Sequence, residues 1–174
     1  MTEEDDHQHK GHIVPTREML LTLSHSQAAA RSSKEPPDKV LANLTHLQLN
    51  DKNLSKISNL KFCVGLRVLY LYDNHIARIE NLDFASHLTH LYLQNNELEH
   101  IENLSELKKL QKLYLDGNHI REVSGLDSNL RLEELTINRQ RLPVGGPGLT
   151  FSPQCMDALS HSLCVLKASN CQIR

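Results

Sequence analysis

Apolar residues return along the chain at a constant offset of 22 residues. In each unit three of them form a triplet with fixed spacing, at Leu44, Leu47 and Leu49; Leu66, Leu69 and Leu71; Leu88, Leu91 and Leu93; Leu110, Leu113 and Leu115; and Leu132, Leu135 and Ile137. Leu163, Leu166 and Ala168 open a sixth unit. Behind the triplets the offset holds for Leu54, Ile76, Leu98, Ile120 and Leu142, for Ile57, Ile79, Ile101 and Val123, and for Leu60, Leu82, Leu104 and Leu126. A period of this length predicts a solenoid of stacked repeats.

The last two apolar residues of each triplet are two positions apart, which predicts a short strand. Both then point into the core, and the residue between them points out. A turn follows, where Asn74, Asn96 and Asn118 can bond backbone groups that leave the strand unpaired. Lys52 and Gln140 replace asparagine in the first and fifth units, near the ends of the regular array, where atypical repeats are normal.

The full pattern, L-x-x-L-x-L-x-x-N-x-L, is that of leucine-rich repeats. The predicted fold class is therefore α/β: a leucine-rich repeat solenoid with parallel strands on its concave face. Short helices or 3-10 turns are expected on the convex face. No repeat can bury its leucines alone, so one continuous core must run through the stack.

The pattern divides the chain into two regions. Residues 40–174 form the predicted repeat domain, with about six repeats. Residues 1–39 form an extension that we expect to be mostly disordered, with an acidic, His-rich tail at 1–12, a helix at 16–30 that begins after Thr16, and a linker at 31–39. The segment at 40–44 is read as a partial repeat that covers the open end of the core.

The fifth unit is stretched, since Leu132 and Leu163 lie 31 residues apart rather than 22. The added segment contains "PVGGPGL" (143–149), a predicted loop, and a predicted helix at 152–163 with Ser152 as N-cap and Pro153 at its first position. The chain then stops at Arg174 inside the sixth unit without a polar closing repeat. The expectation from this pattern is a truncated form or a fragment.

Composition and charge exclude several classes of function. Acidic and basic residues nearly cancel, 21 against 19, so no overall field favours nucleic acid or an anionic membrane surface. No apolar run approaches the length of about 20 residues that a membrane-spanning helix needs. The four cysteines are scattered, without metal-ligand or redox spacing. Free thiols in a reducing, cytoplasmic setting are therefore expected. The balanced charge and the lack of a long apolar run predict no nucleic acid and no membrane as partners.

Candidate catalytic or metal-binding groups are weak. The "GGPG" loop lacks the Gly-Lys-Ser/Thr that a phosphate-binding loop requires. His7, His9 and His12 lack further metal ligands and read better as part of a polar tail. Cys155 and His161 do not share a helix face, which argues against a nucleophile and base pair. The prediction is a binding scaffold with no cofactor, no metal and no catalytic residue.

The aromatic residues have an unusual distribution. Tyr70, Tyr92 and Tyr114 each stand between two inward leucines, so they should form an outward ladder on strands about 4.8 Å apart. Tyr72 points the same way. Outward residues around the four tyrosines complete a candidate protein-binding surface: Asp73, His90, Lys112, Asp116 and Glu134, with His46, Gln48, Gln94 and Thr136 at its border.

Two explanations of the ladder stay open at this point. Stacked cross-strand aromatics stabilise a sheet by roughly 0.2–1 kcal/mol per pair without any partner. Binding is favoured because tyrosine is enriched at interface hot spots, and because a polar border around central aromatics is the layout of an anchor cluster with its rim.

The repeat also resembles a known family. The 22-residue unit with "HIARIENL" and "LEHIENL" after the turn is similar to the SDS22-like class of leucine-rich repeats, which is intracellular and recognises proteins. The lengthened unit, with "NRQRLP" and "SLCVLKASN", resembles members of that class that regulate protein phosphatase 1. This resemblance implies a non-catalytic regulatory or targeting subunit that binds the protein phosphatase 1 catalytic subunit. It also implies location at the cytoskeleton and at the centrosome, the microtubule-organising centre. The alternative is a cytoskeletal or ciliary adaptor that binds tubulin, dynein or centrosomal proteins without contacting the phosphatase.

Overall fold

The computed structural model describes residues 13–27 and 36–172. The expectations for the tail at 1–12, its histidines, the end of the first predicted helix and most of the linker lie outside these described residues. The helices are α1 (Arg17–Gln27), α2 (Pro37–Ala42) and α3 (Pro153–Leu159). The strands are β1 (His46–Gln48), β2 (Val68–Tyr70), β3 (His90–Tyr92), β4 (Lys112–Tyr114), β5 (Glu122–Val123), β6 (Glu134–Thr136), β7 (Thr150–Phe151) and β8 (Val165–Lys167).

The predicted solenoid is confirmed. Six strands form one parallel sheet in the order β1-β2-β3-β4-β6-β8. The central leucines of the first strands are in register, Leu47 with Leu69 and Leu69 with Leu91, as the 22-residue offset requires. The inward leucines of the regular repeats have no exposed surface and form one continuous core.

The added segment of the fifth unit forms a short strand and a helix before the chain rejoins the main sheet at β8. A small second sheet pairs β7 with β5 in parallel, so the added segment is tied to the previous repeat. Helix α3 begins as predicted, with the Ser152 hydroxyl accepting from Cys155 N at 3.4 Å and Pro153 in the first turn. The helix ends at Leu159 rather than at residue 163. Cys155 and Leu159 are its buried residues.

A buried asparagine after each regular strand ties that repeat to the one before it. Asn96 Nδ2 donates to Leu93 O of its own turn at 3.1 Å and to Leu71 O of the preceding repeat at 2.9 Å. Its Oδ1 accepts from Ile76 N of the preceding repeat at 3.0 Å. Equivalent bonds are made by the asparagines one repeat earlier and one repeat later, Asn74 and Asn118. We call these residues the asparagine ladder.

The ladder continues through residues that are not asparagine. Gln140 Nε2 donates to Leu115 O at 2.9 Å, and its Oε1 accepts from Ile120 N at 2.9 Å, which repeats the asparagine pattern in the fifth unit. In the sixth unit the Cys171 thiol donates to Ile137 O at 2.9 Å. The longer glutamine and the small thiol therefore both satisfy backbone carbonyls at a buried turn.

A second row of asparagines lies in the segment that returns from one strand to the next. Asn59, Asn81 and Asn103 have φ values of 60°, 57° and 57°. Asn81 Nδ2 donates to Ile57 O of the preceding repeat at 2.7 Å. Asn59 donates at 2.7 Å to Pro15 O. The N-terminal segment thus supplies the acceptor that a preceding repeat supplies elsewhere.

Helix α1 covers the first repeat. Leu20 has no exposed surface and joins the core together with Leu41 of α2. Before the helix, Ile13 forms a parallel bridge with Leu54, in which Ile13 N donates to Asn53 O at 2.9 Å. Residues 13–27 therefore shield the edge of the core that the first repeat would otherwise expose to water.

Leu166 is predicted to be inward and buried, but in the structure it is partly exposed. It is 40% exposed, whereas Leu135 on the neighbouring strand has no exposed surface. An inward leucine is covered from both sides by adjacent repeats, and among the described residues β8 has a neighbouring strand, β6, on one side alone. Leu166 therefore keeps part of its surface in solvent.

The asparagine ladder leads to a stability prediction. Asn96→Ala removes two donors to buried carbonyls and the acceptor for a buried N–H. We expect a loss of about 2–4 kcal/mol in the free energy of unfolding, because each unsatisfied buried group costs about 1–3 kcal/mol. Urea denaturation measures this loss. Gln48→Ala, at an exposed position on β1, is the matched control and should change stability by less than about 0.5 kcal/mol. Equal effects of the two substitutions would contradict the role of the ladder.

The contact of α1 with the core leads to a second prediction. Leu20→Ala should lower the free energy of unfolding by about 2–5 kcal/mol, since it removes a fully buried side chain and leaves a cavity. Glu18→Ala, at an exposed position on the same helix, is the control. If unfolding of the Leu20 variant matched that of the control, α1 would not be part of the folded core.

Candidate protein-binding surface

Three tyrosines form one stacked column across the centre of the sheet. Tyr70, Tyr92 and Tyr114 occupy the same register position on β2, β3 and β4. The ring centroids of Tyr70 and Tyr92 are 4.8 Å apart with an interplanar angle of 18°. Those of Tyr92 and Tyr114 are 4.6 Å apart at 3°. These separations match the spacing of adjacent strands, so the sheet itself places the rings in contact.

The fourth tyrosine extends the column. The Tyr72 ring meets the Tyr70 ring edge to face, with centroids 6.4 Å apart and planes at 89°. This is a favourable geometry for aromatic pairs. All four rings are partly exposed. We call Tyr70, Tyr72, Tyr92 and Tyr114 the tyrosine surface; they are the four tyrosines of the chain.

Three predicted site residues flank the column in a row at the start of the strands. Lys112 Nζ lies 3.2 Å from Glu134 Oε2, and Lys167 Nζ lies 3.9 Å from Glu134 Oε1. The hydrogen bond from Lys112 holds the pKa of Glu134 below its ordinary value. Burial, aided by the nearby Lys112 charge, lowers the pKa of His90. The row thus presents a neutral imidazole and a paired carboxylate beside the rings.

The hydroxyls of Tyr92 and Tyr114 stay protonated at neutral pH. Burial raises the pKa of Tyr114 to about 12, with the adjacent Glu134 charge acting in the same direction. Burial also raises the pKa of Tyr92. Because Tyr92 is stacked between Tyr70 and Tyr114, its exposed part is the ring edge, and the Tyr114 hydroxyl is hydrogen-bonded to Glu134.

Two residues predicted on the exposed surface are buried. Asp116 is 8% exposed and Thr136 4%. The Asp116 carboxylate accepts from the Thr136 hydroxyl, from the Asn138 side-chain amide and, at 2.9 Å, from Asn138 N. Asp116 consequently stabilises the turn of the next repeat instead of facing a partner.

Asp73 remains exposed at the edge of the tyrosine surface. It adopts a positive φ of 56°, and its Oδ1 accepts from Asn95 Nδ2 at 2.7 Å. His46 and Gln48 are exposed on β1, at the border of the sheet. The structure thus brings together the tyrosines, Asp73, His90, Lys112 and Glu134 on one face, while the largely buried Asp116 carboxylate is bonded to Thr136 and Asn138.

A shallow concavity of about 470 Å³ lies against the tyrosine surface. Its lining consists of Tyr70, Tyr72, Tyr92, Gln94, Asn95, Asp116 and Arg139. Arg139 was not among the predicted site residues. The sequence feature that could have identified Arg139 is its spacing: it lies 22 residues after Gly117 and 66 after Asp73. This spacing places Arg139 in the same row as Asp73 along the sheet edge.

Groups with catalytic potential do not converge on this face. Burial raises the pKa of the Cys155 thiol, and it raises that of Cys63 to about 11. His161 lies beyond the end of α3. The loop at 143–149 exposes Val144 fully. Across residues 13–27 and 36–172, no cluster of three or more His, Cys, Asp or Glu side chains could hold a metal ion.

None of the described helices is long and apolar enough to cross a membrane.

Comparison with known proteins identifies the same repeat. The model of a family described as leucine rich repeat matches residues 64–120. Internalin C2 from Listeria monocytogenes is similar in structure, with 24% identity and a TM-score of 0.63 over 75% of this chain and 54% of that chain. An internalin (inlF) from the same organism is similar with 20% identity and a TM-score of 0.68 over 89% of this chain and 44% of that chain. No curated protein sequence matches.

These likenesses show the fold. The chain spans about half the length of the two internalin structures. A leucine-rich repeat fold is a scaffold suited to protein–protein interaction, because its curved sheet offers one extended concave surface.

The Lys112–Glu134 pair leads to a pH prediction. The folded-state pKa of Glu134 lies below the ordinary value of 4.5, so its contribution to stability is complete above that value and is lost as pH falls through the folded-state pKa. The free-energy difference between the wild type and Glu134→Gln should therefore shrink between about pH 7 and pH 3. Urea denaturation at both pH values measures it. The control is Glu133→Gln, at an exposed position one residue earlier. If the free-energy difference between the wild type and Glu134→Gln did not vary with pH, the pairing of Lys112 with Glu134 would be contradicted.

Proposed function

We propose that the tyrosine surface binds the catalytic subunit of Ser/Thr protein phosphatase 1, and that the chain is a non-catalytic regulatory or targeting subunit of that enzyme. The observation that carries the proposal is the column of three stacked tyrosines at the centre of the concave sheet. Rigid aromatic side chains in the middle of a surface, with charged and polar residues around them, have the arrangement of an interface hot spot.

Sheet packing alone accounts for only part of this arrangement. Cross-strand aromatic pairs stabilise a sheet by roughly 0.2–1 kcal/mol each. However, the rings keep part of their surface in solvent, and the four tyrosines of the chain gather on one face. A partner that covers these rings would bury the remaining apolar area, which supports a binding role.

The choice of partner rests on resemblance. Over residues 40–174, and most specifically in the lengthened fifth unit, the chain resembles the testis leucine-rich repeat protein, regulatory subunit 42 of protein phosphatase 1. The segment nearest to the usual docking motif of that phosphatase is "RVLY" at 67–70, in strand β2. Leu69 within it has no exposed surface, so the segment cannot dock as a free peptide. The concave face is therefore the proposed contact.

Binding of purified phosphatase catalytic subunit tests the proposal. Tyr92→Ala/Tyr114→Ala should weaken binding at least about tenfold, because hot-spot truncations cost about 2 kcal/mol or more. Tyr92→Phe/Tyr114→Phe keeps the stacked rings and should retain most of the affinity. Surface plasmon resonance measures binding, and circular dichroism verifies that each variant is folded.

The matched control is Arg78→Ala/Glu102→Ala, which removes an exposed ion pair of 3.0 Å away from the sheet. It should leave binding unchanged. If the folded wild type does not bind the catalytic subunit, the phosphatase assignment is wrong. Co-purification of tubulin, dynein or centrosomal proteins from cells without phosphatase activity would then favour the cytoskeletal or ciliary adaptor.

A further inference from the structure

One edge of the tyrosine surface carries a row of residues with left-handed backbone. They follow the strands at the 22-residue offset: Asp51, Asp73, Asn95, Gly117 and Arg139, with φ between 52° and 67°. We call this set the rim row. Its charges are separated, since the two aspartates stand at one end and the arginine at the other. The neutral Asn95 and Gly117 lie between them.

Arg139 borders the tyrosine surface. It lines the same concavity as Tyr70 and Tyr92, which belong to repeats further toward the N-terminus. The intervening position is Gly117, and a Cβ there would lie only 2.4 Å from Asn95 Oδ1. A side chain at residue 117 would therefore collide with Asn95, which also lines the concavity.

The charges of the rim row are available to a partner. Arg139 is exposed and forms no ion pair with any residue in the described part of the chain. Asp73 and Asp51 are exposed as well, and the hydrogen bond from Asn95 engages one of the two carboxylate oxygens of Asp73. Gln94, which lines the concavity, has a buried Oε1 without a hydrogen-bond partner among the described residues. The rim thus holds an exposed cation and exposed anions, without ion-pair partners among the described residues, beside the tyrosine rings.

We propose that this surface selects an extended protein segment with an acidic residue at one end, a basic residue at the other and an aromatic or apolar residue between them. The acidic side chain pairs with Arg139, the basic side chain pairs with Asp73 and Asp51, and the central side chain lies on the tyrosines. This inference rests on the proposed function, in that it takes the tyrosine surface to be a protein-binding site. Charge complementarity along the rim row fixes the direction of the bound segment.

The spacing of the two charges follows from the repeat. Asp73 and Arg139 are three repeats apart, which is about 14 Å at one strand spacing of about 4.8 Å per repeat. An extended chain advances about 3.3–3.6 Å per residue, so the complementary charges should be about four residues apart. The guanidinium of Arg139 is planar and can pair with a carboxylate through two parallel hydrogen bonds. The acidic residue of the segment should therefore lie at the Arg139 end.

Four synthetic peptides test the inference on the intact chain: Lys-Thr-Phe-Thr-Glu, Lys-Thr-Phe-Thr-Lys, Glu-Thr-Phe-Thr-Glu and Gln-Thr-Phe-Thr-Gln, each with blocked termini. NMR titration measures their affinities. The mixed-charge peptide should bind about fivefold more tightly than any other, as one exposed ion pair is worth up to about 1 kcal/mol. Equal affinities, or no binding of any peptide, would overturn the inference.

Charge reversal in the protein provides the matched variants. Arg139→Glu should transfer the preference to the peptide with two lysines, and Asp73→Lys to the peptide with two glutamates. The double variant should prefer the mixed-charge peptide again. Asp51→Lys replaces Asp73→Lys if the latter does not fold, as judged by circular dichroism. A ranking of peptides that these variants do not change would refute the role of the rim row.

The two proposals fail in different ways. If the peptides rank as expected and the phosphatase catalytic subunit does not bind, the proposed partner is wrong and the charge-polarised site stands. If the phosphatase binds through the tyrosines and the peptides show no charge preference, the rim row is not a selectivity element.

Discussion

The side-chain amide that closes each turn is the interaction on which the rest of the structure depends. The buried amide of Asn96 bonds a carbonyl of its own turn, a carbonyl of the preceding repeat and an N–H of the preceding repeat. It therefore fixes both its own turn and the distance to the turn of the preceding repeat. Because this is repeated at a constant offset, the strands stack in exact parallel register. The surface chemistry of the sheet then follows from the identity of the residue between two buried leucines.

The tyrosine column is a direct consequence of that register. Residues at one position of successive repeats must lie one strand spacing apart, which is also a favourable distance for offset aromatic rings. A scaffold of this kind can therefore hold flat side chains rigidly without a dedicated binding loop. Preordered rings lose little entropy on binding, which supports their proposed role as anchors for a partner. The rim row uses the same register to place opposite charges about 14 Å apart.

Much of this architecture could be predicted from the sequence, since the 22-residue period determines the core, the strands and the outward position of the tyrosines. The structure differs from the prediction where the surroundings of a residue depend on a neighbouring repeat. Asp116 occupies an outward slot, yet Thr136 and Asn138 of the next unit cover it. Gln140 appeared to break the asparagine pattern and in fact completes it, because its longer side chain reaches the same carbonyl and N–H. Arg139 was not predicted because its place in the same concavity as Tyr70 and Tyr92 arises from the stacking of separate repeats, which no single repeat indicates.

The central claim is that the tyrosine surface is the site of contact with a protein partner. The chain contains four tyrosines, all on this surface, so incorporation of 3-fluorotyrosine reports on the site and on nothing else in the chain. The fluorine NMR spectrum should be recorded before and after addition of the phosphatase catalytic subunit. The account predicts that the resonances of Tyr70, Tyr92 and Tyr114 shift or broaden as the complex forms. Formation of a complex that leaves all four resonances unchanged would contradict it.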